Sequence, residues 1–177
     1  MVQVKKNEVK NQVSIITFQI GWEQFVIDLL DIKEIIQAGQ VRKLPKSMGF
    51  IDGIYNYRGE IIHIINLKKK LNLDEYMLYQ SKYSSIEEDS TTTKKFIIII
   101  KTDNALIGFY ADNIVSIDHI DPNEIVSLSP IFQTSVAFEY IRGIINFEDR
   151  PRVMLDLTKI FTDVEKYRVQ EDLSSIT

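Results

Sequence analysis

The residue types that could carry out catalysis are few in this sequence, and their spacing does not favour it. The two histidines, His63 and His119, lie outside any metal-ligand spacing such as HExxH. Cysteine is absent, which excludes thiolate nucleophiles, thiolate metal ligands and disulfides. No GxSxG, Walker or GxGxxG motif occurs, and the few glycines are assigned to hairpin turns. The sequence therefore predicts no enzyme, no cofactor and no metal site.

A hydrolase that pairs His63 with Glu60 is one alternative. Both residues lie in the apolar segment EIIHII, which reads as a β-strand. Side chains three positions apart on a strand point to opposite faces of the sheet. This geometry counts against a shared catalytic role, and a packed sheet histidine is the simpler interpretation of His63.

A nucleic-acid-binding protein built from two small barrels is a second alternative. Its candidate phosphate contacts are the lysine run 68–70, and its candidate stacking surface consists of four sheet aromatics, Phe18, Phe25, Phe96 and Phe109. The formal net charge of −4 argues weakly against a general nucleic-acid binder. A solvated helix face explains the lysines more simply, and core packing explains the aromatics.

Arg58 is the polar residue that turns and core leave unexplained. It lies at a hairpin between two apolar segments, where the later copy of the same unit has Glu148. The planar guanidinium can bind a carboxylate through two N–H groups. Glu34 is the expected partner within the chain, and a facing protein is the other possibility.

The element that positions Arg58 occurs twice. Residues 50–71 match residues 140–161 without a gap, at a constant offset (143 minus 53 gives 90), with identical residues at six positions: 51/141, 53/143, 54/144, 56/146, 67/157 and 69/159. Each copy reads as a strand, a tight turn, a second strand and a short helix. Asn66 and Asp156 stand where helix N-caps belong. A weaker match of residues 112–117 to residues 30–35, at an offset of 82, extends the duplication upstream.

Other strands are predicted at residues 14–20, 24–29, 96–101 and 105–111, the third of them buried on both faces. Residues 29–36 fit a helical turn or a strand equally well. Residues 1–12 read as a flexible leader, 74–95 as a flexible linker and 162–177 as a C-terminal helix and tail. About five short strands per copy cannot bury their faces as an open sheet. We therefore expect a mainly all-β domain over residues 13–161, built of two related five-stranded barrels.

Two related barrels packed by pseudo-symmetry would leave an apolar groove between equivalent edges. Leu29, Ile32 and Ile114 are the candidates for its lining, and Ile32 and Ile114 are equivalent in the two copies (114 minus 32 gives 82). Such a groove would suit the apolar face of a partner helix. Simple core packing is an equally weighted interpretation of the three residues.

Several segments, taken together and in order over residues 13–161, resemble the chemotaxis coupling protein CheW family. GIYNYRGEIIHIINLKKKL is similar to the family's GVxNLRGxIxPVxDL, and FVIDLLDIKEII to its YAIDILxVQEII. LIGFYADNIVSI is similar to VGLVVDxVxxV, and GIINFEDRPRVMLDLTKI to GxxxxxDRxxxLLDLxKL. Three departures stand out: Tyr57 replaces leucine in NLRG, His63 replaces proline, and the 74–95 linker is long.

The resemblance implies two pseudo-symmetric five-stranded SH3-like β-barrels and no catalytic activity. It implies an adaptor that joins the regulatory domain of the histidine kinase CheA to the cytoplasmic tip of methyl-accepting chemoreceptors. The implied receptor-binding groove comprises Leu29, Ile32, Glu34, Arg58 and Ile114, in which Glu34 and Arg58 are functionally linked. The implied kinase contact comprises Val41, Leu44, Pro45 and Phe50. Neither nucleic acid nor direct membrane insertion is expected, and the protein would be cytoplasmic and recruited to receptor arrays.

Overall fold

The structure is a computed structural model that describes residues 11–43, 49–73, 96–103, 105–129 and 138–162. The strands are β1 (Val13–Ile20), β2 (Glu23–Asp28), β3 (Ile32–Gln37), β4 (Ile51–Tyr57), β5 (Glu60–Ile65), β6 (Phe96–Lys101), β7 (Leu106–Ala111), β8 (Asn113–Ile120), β9 (Ile125–Val126), β10 (Ile141–Asn146) and β11 (Pro151–Leu155). Helix α1 spans Leu67–Lys70, and residues 157–162 are also helical. Short 3-10 turns occupy Leu29–Asp31, Pro122–Glu124 and Phe138–Tyr140.

The strands form two sheets that interleave the two halves of the sequence. One sheet has the order β8-β1-β2-β11-β10-β9 and the other β3-β6-β7-β5-β4. The N-terminal hairpin β1–β2 thus pairs with strands from the second half of the chain. The hairpin β6–β7, which follows the predicted linker, pairs with strands from the first half. Each sheet therefore needs both halves of the chain.

The register of the strands repeats the sequence duplication. Parallel pairing of β5 with β7 sets Ile64 opposite Gly108, and parallel pairing of β2 with β11 sets Val26 opposite Met154. Ile64 corresponds to Met154 at the offset of 90, and Val26 corresponds to Gly108 at the offset of 82 (154 minus 64 gives 90; 108 minus 26 gives 82). The two sheets are therefore copies of one unit related by a hairpin exchange.

Each sheet closes around an apolar interior of its own. Tyr57, Ile62, Ile64, Ile97 and Ile99 form one buried cluster, and partly buried residues from β3 and β7 pack on it. All five strands of the second sheet thus contribute to one interior. A sheet whose edge strands meet in one interior is a barrel rather than an open layer. We call this sheet the five-stranded barrel.

The other sheet is closed in the same way, around buried residues of β1, β2, β8, β10 and β11, namely Ile15, Val26, Ile120, Ile145 and Met154. We call it the six-stranded barrel. Its extra strand β9 is two residues long, and a single bridge between Arg42 and Ile54 takes that place in the five-stranded barrel. The prediction of a mainly β fold with two related barrels is confirmed.

The largest core lies between the barrels. It contains Phe18, Phe25 and Phe109, with the Phe18 and Phe109 ring centroids 5.4 Å apart, and it also contains Leu67 and Phe161 near the two short helices. Strand β6 contributes to this core and to a barrel interior, so its four consecutive isoleucines are at most 2% exposed. The prediction of a strand buried on both faces is confirmed. We call the cluster between the barrels the shared core.

The local predictions are also met where the structure describes them. Asn66 accepts a hydrogen bond from the Lys69 N–H at 3.0 Å, and Asp156 accepts one from the Lys159 N–H at 3.2 Å, as N-caps do. The segment 29–36, which fitted either a helical turn or a strand, begins as a 3-10 turn and continues as β3. The predicted linker 74–95 lies outside the described residues, as do 1–10 of the leader and 163–177 of the tail.

The assignment of the glycines to hairpin turns was wrong for Gly53 and Gly143. Gly59 does lie in a turn, with φ +84°, but Gly53 lies within β4 and Gly143 within β10. A Cβ atom at Gly53 would stand 2.2 Å from the Arg42 carbonyl oxygen, and one at Gly143 would stand 2.8 Å from the Val126 carbonyl oxygen. Close passage of another chain segment therefore explains these two identical positions.

Candidate functional site

The 3-10 turn between β2 and β3 holds the first candidate residues. It forms because the Asp28 carboxylate accepts the Leu30 N–H at 2.9 Å, while the Ile32 N–H closes the turn on the Leu29 carbonyl oxygen. Asp28 is only 8% exposed, and Arg142 of β10 donates to its other oxygen at 3.2 Å. A buried carboxylate needs such a partner. The turn is thereby fixed to the six-stranded barrel, although β3 beyond it belongs to the five-stranded one.

The three apolar groove candidates have one environment in common. Leu29, Ile32 and Ile114 are each partly buried, and each packs against the shared core between the barrels. Ile32 begins β3 and pairs with Ile100 of β6, whereas its equivalent Ile114 in β8 pairs with Phe18 of β1. The three side chains therefore lie at the margin of one core, partly open to solvent.

Leu30 belongs to the same turn, and sequence reasoning missed it. Its side chain is 90% exposed, although its backbone is held by Asp28. The equivalent residue of the other copy (112 minus 30 gives 82) is Asp112, which accepts the Gly21 N–H at 2.5 Å. The fold thus accepts a polar residue at this position, and an exposed leucine is not required by packing. The mismatch in polarity between the copies was the signal available in the sequence.

Glu34 and Arg58 form the ion pair expected from the sequence. The Arg58 Nη2 donates to the Glu34 Oε1 at 3.0 Å, joining β3 to the β4–β5 hairpin. Arg58 adopts φ 50° and Gly59 φ 84°, left-handed values that a tight hairpin turn requires. The Asn56 side chain also accepts the Gly59 N–H at 2.9 Å. The hairpin therefore holds Arg58 beside Glu34.

Tyr57 is a third member of this group. Its hydroxyl donates to the Glu34 Oε2, and the Arg58 guanidinium carbon lies 5.1 Å from the Tyr57 ring centroid. The hydrogen bond to Glu34 raises the pKa of Tyr57 above its ordinary value of 10.0, because the carboxylate stabilises the protonated hydroxyl. Sequence reasoning noted Tyr57 as a departure from the family motif without giving it a role.

Asp31, in the same turn, is held in an environment that disfavours its charge. Burial raises the pKa of Asp31 above its ordinary value of 3.8, and the neighbouring carboxylate of Asp28 raises it further, with a smaller contribution from Asp156. Arg142 acts in the opposite direction. The turn therefore carries an acidic side chain whose charge is disfavoured next to the exposed Leu30.

The predicted kinase-contact residues are only partly described. Leu44 and Pro45 lie outside the described residues. Val41 packs against the interior of the five-stranded barrel, and Phe50 packs against the shared core with the Lys70 ammonium 5.1 Å from its ring centroid. The two described members therefore face different cores.

Three of the four aromatic residues on which the nucleic-acid alternative depends are buried, and the fourth, Phe96, is partly buried. Phe18, Phe25 and Phe109 are at most 3% exposed, so their rings are not available for stacking on bases. The Lys70 ammonium lies near two aromatic rings, 5.1 Å from the centroid of Phe50 and 5.2 Å from that of Tyr140. Nothing in the described residues supports the alternative.

The described part of the chain shows neither a metal-binding cluster nor a membrane-spanning helix. Within the described ranges, no group of three or more His, Asp or Glu side chains is arranged to hold a metal ion. No helix in those ranges has the length and apolar character needed to span a membrane.

Comparison with known proteins gives consistent results. The model of the CheW-like domain family matches residues 14–165. "Chemotaxis protein CheW" of Treponema pallidum (strain Nichols) is 31% identical over 154 residues, which cover 87% of this chain and 85% of that protein. "Chemotaxis protein CheW" of Thermotoga maritima is 25% identical over 153 residues, covering 85% of this chain and 88% of that protein.

A solved structure has the same fold. "Crystal structure of scaffolding protein TtCheW from Thermoanaerobacter tengcongensis" superposes with a TM-score of 0.69 at 24% sequence identity. The superposition covers 90% of this chain and 94% of that one. The two closed sheets described above are accordingly SH3-like β-barrels.

Proposed function

The chain belongs to the CheW-like domain family, and from this premise we propose that it links the cytoplasmic tip of chemoreceptors to the regulatory domain of the histidine kinase CheA. CheW-like domains are non-catalytic adaptors, so the chain is a chemotaxis scaffold and not an enzyme. Its relatives in Treponema pallidum and Thermotoga maritima are both named chemotaxis protein CheW. We propose in addition that CheA and the chemoreceptors are its two partners and that it is recruited to receptor arrays.

The observation that carries the receptor proposal is the half-open margin of the shared core. Leu29, Ile32 and Ile114 are partly buried there, and Leu30, which is next to Leu29 in the 3-10 turn, adds an exposed apolar side chain. An apolar strip bordered by polar residues fits the apolar face of an amphipathic helix. A receptor tip built of helices offers such a face. Glu34, which follows Ile32 in β3, and its partner Arg58 would supply the polar border.

The kinase contact is proposed for Val41, Leu44, Pro45 and Phe50, which precede β4 in the sequence. Val41 packs against the interior of the five-stranded barrel, and Phe50 packs against the shared core. Separate surfaces are what an adaptor requires, because both partners must be bound at once.

Titration of a receptor-tip helical hairpin into the labelled protein tests the receptor surface. Leu30→Asp places a charge where an apolar contact is proposed, and the exposed position involves little folding cost. We expect affinity to fall by about ten-fold or more, because desolvating an unpaired carboxylate costs on the order of 1–3 kcal/mol. Ile32→Asp, after its folding is verified by circular dichroism, should give a loss at least as large.

Val126→Asp is the matched control, since Val126 is 52% exposed in β9 and lies outside the proposed surface. It should bind as the wild type does. Equal affinity of Leu30→Asp and Val126→Asp would move the receptor site away from this turn. Binding of neither receptor tip nor CheA by the wild type would remove the proposed partners altogether.

A further inference from the structure

The Glu34 carboxylate is held on both of its oxygens by neighbouring residues of one hairpin. The Tyr57 hydroxyl donates to Oε2, and the Arg58 Nη2 donates to Oε1 at 3.0 Å. Two different donors on the two oxygens fix the plane of the carboxylate as well as its position. Neither donor alone would do this.

The two donors differ in how firmly they are themselves held. The Arg58 side chain is 72% exposed, so its ion pair is screened by water and salt and can orient Arg58 only if the Glu34 carboxylate is already fixed by another donor. Tyr57, in contrast, is 6% exposed and its ring packs in the interior of the five-stranded barrel. A packed ring keeps one rotamer and therefore holds its hydroxyl oxygen at one position. Tyr57 is the rigid partner of Glu34, and Arg58 is the mobile one.

The other copy of the hairpin separates the role of the ring from that of the hydroxyl. Phe147 is the equivalent of Tyr57 (147 minus 57 gives 90), and it packs against the interior of the six-stranded barrel. Arg152, which is not the equivalent of Arg58, lies over the Phe147 ring, 4.2 Å from its centroid, and Arg58 lies over the Tyr57 ring. Barrel packing and the arginine contact therefore need only an aromatic ring. The hydroxyl is additional, and its acceptor is Glu34.

We propose that Tyr57 is a positioning residue: its hydroxyl fixes Glu34, and Glu34 in turn holds the exposed Arg58 in the orientation in which it meets the partner. The proposal rests on the proposed function, because it takes Glu34 and Arg58 to be part of the receptor-binding surface. It assigns Tyr57 no contact with the partner itself. The 6% exposure of Tyr57 is consistent with an indirect role.

A double-mutant cycle on receptor-tip binding tests this arrangement. Tyr57→Phe keeps the ring and removes the hydroxyl, so Glu34 and Arg58 must be ordered on binding. We expect affinity to fall by about three- to ten-fold, the cost of immobilising one long side chain. In the Arg58→Ala background the same change should have an effect of less than about two-fold, since Tyr57 acts through Arg58. Equal losses in both backgrounds would overturn the proposal, as would no loss in the wild-type background.

A second readout does not depend on the partner. The hydroxyl of Tyr57, followed by NMR through its ring carbon, should ionise above the ordinary tyrosine range, and Glu34→Gln should lower that pKa. An ordinary pKa in both proteins would show that the contact is absent and would overturn the proposal. If Arg58→Ala leaves receptor binding unchanged while the tyrosine shift is present, the receptor site fails, although the contact between Tyr57 and Glu34 stands.

Tyr55→Phe is the matched control for the binding and NMR measurements. Tyr55 is in the same strand, β4, and packs in the same barrel interior. It should leave affinity and the Tyr57 titration unchanged. A loss of affinity equal to that of Tyr57→Phe would show a general response to removal of a tyrosine hydroxyl, and the positioning role would be rejected.

Discussion

Two glycines at equivalent positions show how single residues support this fold. Gly53 and Gly143 are each placed next to a backbone that passes within van der Waals distance. At Gly53 that backbone is Arg42, which exchanges two hydrogen bonds with Ile54, both at 2.9 Å. A methyl group on Gly53 would have to displace a main-chain oxygen rather than a flexible side chain. Such displacement is expensive because the interior is closely packed.

Gly53→Ala should therefore lower the free energy of unfolding by about 1–3 kcal/mol, the typical range for overpacking. Gly49→Ala is the matched control, because no atom of the described residues lies within 4 Å of its Cβ position. Urea denaturation of the two variants and the wild type gives the comparison. Equal stability of the two variants would show that the approach of Arg42 to Gly53 is not rigid.

At the scale of elements, the 3-10 turn Leu29–Asp31 joins the two barrels and presents Leu30. The turn is stabilised by the buried Asp28 and its ion pair with Arg142. The ionised Asp31 carboxylate destabilises the turn, because burial and the nearby Asp28 disfavour its charge. A carboxyl whose pKa is raised in the folded protein favours folding only while it is protonated. Its contribution is fully present below the unfolded pKa, near 3.8, and is lost as pH rises through the folded value.

Asp31→Asn should accordingly stabilise the protein at pH 7 and give no gain below the ordinary aspartate pKa of 3.8. The gain should be about 0.5 kcal/mol or less, because solvent screens a partly exposed charge. Chemical denaturation at the two pH values measures it. Asp103→Asn, at an exposed aspartate, is the control and should change stability at neither pH. A loss of stability at pH 7 would mean that ionised Asp31 makes a favourable contact.

The elements themselves were largely predictable from the sequence. Alternating or continuous β-branched residues marked strands such as β6, and Asn66 and Asp156 marked helix starts, because these signals are local. The duplication singled out Arg58, since only one copy carries the arginine, and Glu34 was one of the two partners expected for it. The 3-10 turn at Leu29 did not, because a single turn is too short for periodicity. The bond from Tyr57 to Glu34 depends on β3 lying beside the β4–β5 hairpin, which no local pattern gives.

At the scale of the molecule, the exchange of hairpins makes the two barrels one body. The N-terminal hairpin β1–β2 completes the six-stranded barrel, and the hairpin β6–β7 completes the five-stranded barrel. The shared core then lies between them, and Leu29, Ile32 and Ile114 lie at its margin. An adaptor with this construction can hold two partners in a fixed relation, because its two barrels cannot separate without breaking strand pairs.

Simultaneous binding of both partners can be measured by sedimentation of a mixture of this chain, a receptor-tip helical hairpin and a CheA regulatory domain. The wild type should form a ternary complex. Leu30→Asp should still form the binary complex with CheA but should no longer bind the receptor tip, because only the receptor surface is changed. Competition of the two partners for the wild-type protein would contradict the proposed adaptor role. Assembly of the ternary complex by Leu30→Asp with unchanged affinity would contradict the proposed receptor surface.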